Sequence, residues 1–197
     1  AIQAEIAAAA AAPQGLSAIA PDGAPQYPGT CRKLSTDERQ ARIHAGESYA
    51  LRLDMQASIR IAGPLALIEA GAEAAADPAP FGDVVLGRKE IPASYHLAVA
   101  HDDALQGVTL VTRGEDLRPA AAVQRLLQTL FGWPVPEYRH HPLLLGAGGA
   151  RLSKRDGAMS LRALRAAGVS AAAVRAMAGL PPNDVPASET GLGRGTW

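Results

Sequence analysis

Three residues have side chains whose types and order could handle phosphate and carboxylate groups: Tyr95, Arg113 and Lys154. Lys154 lies in Arg151-Leu152-Ser153-Lys154-Arg155-Asp156-Gly157, just after Gly146-Ala147-Gly148-Gly149. A glycine-flexed loop carrying Ser-Lys-Arg presents an ammonium that can swing onto a triphosphate. Nucleotidyl transfer builds charge on the α-phosphate oxygens, and a compact cation on a long stem can stabilise it. Arg113 opens Arg113-Gly114-Glu115-Asp116-Leu117. Its guanidinium can grip a carboxylate through two parallel hydrogen bonds. Tyr95 opens Tyr95-His96-Leu97-Ala98-Val99 and would add a hydroxyl. Each piece also has a plainer reading: a solvated basic turn for Lys154, an internal pair with Glu115 or Asp116 for Arg113, and aromatic packing at a helix start for Tyr95. Asp116 suits the cap of the following helix better than a catalytic acid. His96, His101, His140 and His141 have no cysteine or carboxylate at metal-ligand spacing around them.

The elements that must position these residues follow from pattern. Val108–Thr112 is a β-branched run that predicts a buried parallel strand, with Arg113 directly after it. Val123, Leu126, Leu127, Leu130 and Phe131 fall at helical spacing, predicting a helix over 116–131 that Gly132 stops. Pro142–Leu145 reads as the next strand. Together these form a βαβ unit, whose strand carboxyl ends are where an open parallel sheet binds ligands. Upstream, Ser94 caps a helix through Leu105. Ser35-Thr36-Asp37-Glu38 has the pattern of a capping box that starts a helix running to about Ala45. Tyr49–Met55 alternates apolar and polar residues like a half-buried strand. A short helix is expected around Leu65–Ala76, a strand at Asp83–Leu86, and two Ala-rich helices over 159–167 and 170–178. Ile2–Ala12 reads as the end of an Ala-rich helix.

Composition limits the function classes. The chain has 197 residues, 48% of them hydrophobic, enough for a sizeable core. Lys plus Arg equal Asp plus Glu at 19 each, which argues against nonspecific nucleic-acid binding by bulk charge. A local basic patch remains at Arg151, Lys154, Arg155, Arg162 and Arg165. Cys31 is the only cysteine, so no intrachain disulfide forms. Ala1–Ala12 is too short to span a bilayer, and no signal peptide is read; no membrane partner and a cytoplasmic location are expected.

In this order and spacing the motifs resemble the glutamate-activating class I aminoacyl-tRNA synthetases over roughly residues 83–160. Arg151–Arg155 is similar to their lysine-containing signature loop, with Arg in place of the usual Lys at 151. Tyr95–Val99, Asp102-Asp103 and Gly107-Val108-Thr109 resemble the family's helix and strand, and Arg113–Asp116 its next turn. The resemblance implies an α/β, Rossmann-like catalytic core, incomplete at its N-terminal half. Lys154 would contact ATP, accompanied by Mg2+ and helped by Arg151, Ser153 and Arg155; Tyr95 and Arg113 would hold L-glutamate. Gln26-Tyr27-Pro28-Gly29-Thr30-Cys31-Arg32 is close to a phrase of the short paralogues, the glutamyl-queuosine tRNA(Asp) synthetases. There a tyrosine and a cysteine at these places join an upstream Cys-x-Cys pair to bind zinc. That pair is absent here, so Tyr27 and Cys31 form a partial Zn2+ site at most.

The implied layout is a helix and zinc-like loop over 1–48, the second half of the core over 49–180 and a disordered tail over 181–197. The first signature motif and a large helical anticodon-binding region are both missing. The implied reaction is ATP-dependent activation of glutamate and its transfer, by a monomeric enzyme, to queuosine in the anticodon loop of tRNA(Asp). Two alternatives stay open: a piece of a conventional glutamyl-tRNA synthetase charging tRNA(Glu), and a noncatalytic remnant that binds nucleotide or tRNA.

Overall fold

The computed structural model describes residues 19–145, 152 and 160–180. The chain divides into two compact units, Ala1–Pro142 and Leu143–Trp197. In the first, a 3-10 turn at Thr30–Lys33 leads to helix α1 (Thr36–His44), strand β1 (Ala50–Arg52) and helix α2 (Met55–Ala62). Strands β2 (Ala66–Glu69), β3 (Ala72–Ala75) and β4 (Val85–Arg88) come next. Helix α3 (Tyr95–Gln106), strand β5 (Leu110–Gly114), helix α4 (Ala120–Phe131) and strand β6 (Glu137–His141) complete the unit. The second unit contains α5 (Leu161–Ala166) and α6 (Ala171–Met177), where Ser160 and Ser170 accept hydrogen bonds from the Ala163 and Ala173 N–H groups.

The main sheet has the order β3-β2-β6-β5. β2, β6 and β5 run parallel, and β3 folds back antiparallel on β2. β1 and β4 form a separate antiparallel pair. Helix α4 joins the layers. Its Val123, Leu126 and Leu127 pack into a core with Met55, Phe81, Val84 and Ala100. Its Ala121 and Ala122 lie on the sheet against Leu67, Ala76 and Tyr138. Small residues on that side let the helix approach the strands closely, and each fully buried leucine contributes about 1.5–3 kcal/mol relative to exposure.

The helix boundaries match the local signals. Ser35 and Glu38 form a reciprocal capping box, and the Ser94 hydroxyl accepts from the Leu97 N–H. Gly107 and Gly132 end α3 and α4 in the left-handed conformation that only glycine adopts at little cost. A β5-α4-β6 unit forms, with its second strand earlier in the chain than expected.

Four expectations are corrected. β1 stops at Arg52 because Asp54 accepts from the Ala57 N–H and starts α2; Met55 is buried as the first residue of a helix rather than the last of a strand. The helix expected around Leu65–Ala76 is the β2–β3 hairpin. Its turn residues Ala70 and Gly71 both have positive φ, 51° and 83°, the geometry of a tight two-residue connection. Strand pairing there overrides the helical propensity of alanine. β5 is parallel but lies at the edge of the sheet with Leu110 42% exposed, so it is not the buried strand its composition suggests. β6 runs over Glu137–His141 instead of 142–145. Its inward residues are Tyr138 and His140, so the alternation is real but written in polar letters.

Among the described residues, no helix is long and apolar enough to cross a membrane. The segments 1–18, 146–151, 153–159 and 181–197, including the expected N-terminal helix and the polar tail, lie outside the described residues.

Candidate functional site

The parallel register brings the carboxyl ends of three strands to one level. Arg113 of β5 lies opposite His140 of β6, and Glu69 of β2 lies opposite Tyr138. Arg113 therefore belongs to the strand itself, near its carboxyl end. Its Nε donates to His140 Nε2 at 3.1 Å, and its Nη1 donates to Gln124 Oε1 of α4 at 2.9 Å. The guanidinium sits over the Tyr138 ring, 5.2 Å from the centroid.

The donor chemistry defines the tautomer of His140. A guanidinium has no acceptor, so His140 accepts at Nε2 and carries its proton on Nδ1. That proton faces Glu69 Oε2 at 2.8 Å, while Glu69 Oε1 accepts from the His140 backbone N–H at 3.1 Å. Arg118 Nη2 stands 3.6 Å from the same Oε1. Burial pushes the Glu69 carboxyl up, but the two His140 hydrogen bonds and the Arg118 charge outweigh it, and its pKa lies below the ordinary value. The His140 ring is 0% exposed, so this chain runs through the interior. Gln128 Nε2 donates to the Tyr138 hydroxyl at 3.1 Å, and burial pushes that phenol up.

Several buried polar atoms have no hydrogen-bond partner among the described residues. They are Arg113 Nη2, Gln124 Nε2, Gln128 Oε1 and His96 Nδ1. Native interiors pair nearly all such groups, so each exception calls for a partner. Arg113 and Gln124 contribute two of them from one hydrogen-bonded pair.

Tyr95 is the first residue of α3 and is 53% exposed. It borders a pocket of about 250 Å³ lined also by Val85, Arg88, Ile91 and Ser94. Arg113 is not among the lining residues. His96 links the two regions: its ring meets Tyr95 edge-on at 5.8 Å and Phe81 at 5.9 Å. Burial lowers the His96 pKa, with the Asp22 charge opposing the shift and the Arg113 charge adding to it. Lys154, Arg151, Ser153 and Arg155 lie outside the described residues.

Tyr27 and Cys31 do come together. The Tyr27 hydroxyl accepts from the Cys31 backbone N–H at 2.6 Å, and Arg52 sits over the Tyr27 ring at 4.5 Å. Burial pushes the Tyr27 phenol up. No group of three or more His, Cys, Asp or Glu side chains among the described residues could hold a metal ion. Two donors, one already engaged, do not fit a tetrahedral zinc site.

Glu69 and Gln124 escaped the sequence reading, which weighed His140 only as a metal ligand or acid–base group and set it aside. The signal lay in the register: with β6 assigned to 142–145, nothing put His140 beside Arg113. Gln124 lies on the buried side of α4 among apolar residues, where an amide signals a specific partner.

Comparison with known proteins agrees with this architecture. The family described as tRNA synthetases class I (E and Q), catalytic domain, matches residues 14–180. A glutamyl-Q tRNA(Asp) synthetase of Symbiobacterium thermophilum is 43% identical over 173 residues, covering 85% of this chain and 50% of that protein. One from Rhodobacter capsulatus is 41% identical over 190 residues, covering 89% and 64%. The chain thus spans about half to two-thirds of the length of these relatives. The crystal structure of a glutamate-tRNA synthetase from Elizabethkingia anophelis superposes with a TM-score of 0.52 at 28% identity, covering 67% of this chain and 27% of that one. An α/β core with parallel strands β2, β6 and β5, matched in sequence and in fold, makes this chain a member of the class I tRNA synthetases of the E and Q group.

Proposed function

We propose that the full-length protein activates L-glutamate with ATP and transfers it to queuosine in the anticodon loop of tRNA(Asp). The observation that carries this reading is Arg113, fixed at the carboxyl end of a parallel sheet with its Nη2 edge unpaired among the described residues. A carboxylate oxygen supplies what that edge lacks. The relatives named glutamyl-Q tRNA(Asp) synthetase support the choice of substrates.

In the first step a glutamate carboxylate attacks the α-phosphorus of ATP, pyrophosphate leaves, and glutamyl-adenylate forms. In the second, a nucleophile on queuosine attacks the acyl carbon and AMP leaves. Arg113 and Tyr95 hold the amino acid. Lys154 neutralises the charge that develops on the phosphates, with Arg151, Ser153 and Arg155 beside it and Mg2+ accompanying the nucleotide. These roles for the loop rest on its sequence. Tyr27 and Cys31 supply at most two of the four donors a structural zinc site needs. The enzyme acts as a cytoplasmic monomer.

Glutamate-dependent ATP–pyrophosphate exchange without tRNA tests the first step. It is expected in the full-length protein and should fall by about 10²-fold or more in Lys154→Ala, the scale of losing one transition-state charge contact. Exchange that survives the substitution unchanged would remove Lys154 from the mechanism. A second reading, charging of tRNA(Glu), is favoured by a 38% identical glutamate–tRNA ligase 2 of Nitrosococcus oceani. Labelled glutamate separates the two, appearing on the anticodon loop of tRNA(Asp) or on the 3′ end of tRNA(Glu).

A further inference from the structure

We infer that His140, oriented by Glu69, is a positioning residue that dictates how Arg113 meets a carboxylate; the inference rests on the proposed grip of Arg113 on glutamate. A free guanidinium can take a carboxylate side-on, through Nε and Nη2, or end-on, through Nη1 and Nη2. Here the side-on edge is closed. Nε already donates to His140 Nε2 at 3.1 Å. Nη1 spends one of its two protons on Gln124 Oε1 at 2.9 Å, and the ring of Tyr138 backs the plane. Nη2 is the atom left without a partner among the described residues, so a carboxylate that meets this guanidinium meets it there.

The clamp works only with one tautomer. If the His140 proton moved to Nε2, it would point at the Arg113 Nε–H, donor against donor. Glu69 prevents this by accepting the Nδ1–H at 2.8 Å, and it is itself held by the His140 backbone N–H and by Arg118. Glu69 and His140 are 71 positions apart in the chain, and His140 and Arg113 are 27 apart. The parallel ladder of β2, β6 and β5 supplies the alignment. Glu69 thus acts on the substrate at one remove: carboxylate to imidazole, imidazole to guanidinium, guanidinium to ligand. In metal sites, outer partners of a ligating histidine tune affinity or activity by about 10–100-fold, and the arrangement here has the same carboxylate–histidine order.

The test uses the full-length protein and tRNA-independent ATP–pyrophosphate exchange, with KM for glutamate and for ATP measured separately. His140→Ala should raise the KM for glutamate about tenfold while leaving the KM for ATP within about twofold, because the loosened guanidinium serves only the amino acid. His140→Gln, whose amide oxygen can accept from Arg113 Nε, should recover most of the loss. Glu69→Leu should behave like His140→Ala, and Glu69→Gln should be milder, since its amide oxygen still accepts from Nδ1. Thermal melts show which variants fold; if His140→Ala does not, the His140→Gln and Glu69→Leu pair still decides. Equal changes in both KM values, or a Glu69→Leu enzyme with an unchanged KM for glutamate, would overturn the inference. Arg113→Ala is the control for the underlying reading: if it leaves the KM for glutamate unchanged, the grip itself is wrong. If it raises that KM while the His140 and Glu69 variants do not, the grip stands and the positioning role falls.

Discussion

Two regions of the first unit are built from the same parts. Each has a guanidinium over a tyrosine ring and a largely buried carboxylate. In the loop region these are Arg52, Tyr27 and Asp83; at the sheet end they are Arg113, Tyr138 and Glu69. The loop region is closed. Asp83 accepts from Arg32 Nε and Nη2 and from the Met55 N–H, Arg52 donates to the Asp83 carbonyl, and the Tyr27 hydroxyl accepts from Cys31. At the sheet end the same kinds of group leave Arg113 Nη2, Gln124 Nε2 and Gln128 Oε1 unpaired among the described residues. A fully satisfied polar cluster stiffens a fold, whereas an unpaired buried polar group is costly. The loop cluster has its partners within the described residues, and the sheet end does not.

The contrast makes predictions that differ in size. Arg113→Ala should raise the KM for glutamate about a hundredfold, the scale of a charge-assisted double contact. If the KM stays level, the sheet end is as purely structural as the loop. Asp83→Ala should cost about 2–3 kcal/mol in urea unfolding, because it strands the Met55 N–H and a half-exposed Arg32. The KM for glutamate should stay unchanged in the protein that remains folded; a parallel rise would break the division between the regions.

A smaller effect concerns pH. Burial lowers the His96 pKa, so the folded protein keeps this ring neutral while the unfolded chain protonates it at its ordinary pKa. The folded state binds fewer protons in that window. Its stability is therefore full above the ordinary histidine pKa and declines as pH falls through it toward the depressed value. His96→Gln should flatten the fall in Tm between about pH 7 and pH 5. An equally steep fall would show that His96 is solvated. The smallest change is expected for Cys31→Ser, whose Tm should move by no more than about 2 °C because the backbone N–H and C=O of Cys31 keep their partners and a hydroxyl replaces a thiol of similar size. The metal content of the purified protein should not change; loss of a bound zinc ion would reopen the loop as a metal site.

Legibility along the chain followed the range of the interactions. Capping is local, so Ser35, Ser94, Gly107 and Gly132 announced their helix ends. The apolar stripe of α4 is also local, and with the β-branched run before it the βαβ unit could be read. β6 was misplaced because Glu137-Tyr138-Arg139-His140-His141 hides a half-buried alternation in residues usually found outside. The β2–β3 hairpin was missed because alanine favours a helix until a neighbouring strand offers pairing. The edge position of β5 was unreadable, since a β-branched run looks the same with one neighbour or two.

Residue types and short-range periodicity sufficed to put an arginine at the carboxyl end of a parallel strand. They could not say which atoms of that arginine are already engaged. That depends on Glu69, His140 and Gln124, three side chains from separate elements that meet only when the strands align and α4 settles on them. Hydrogen bonds across such distances have no local signature, and the folded sheet alone brings the donors and acceptors into register.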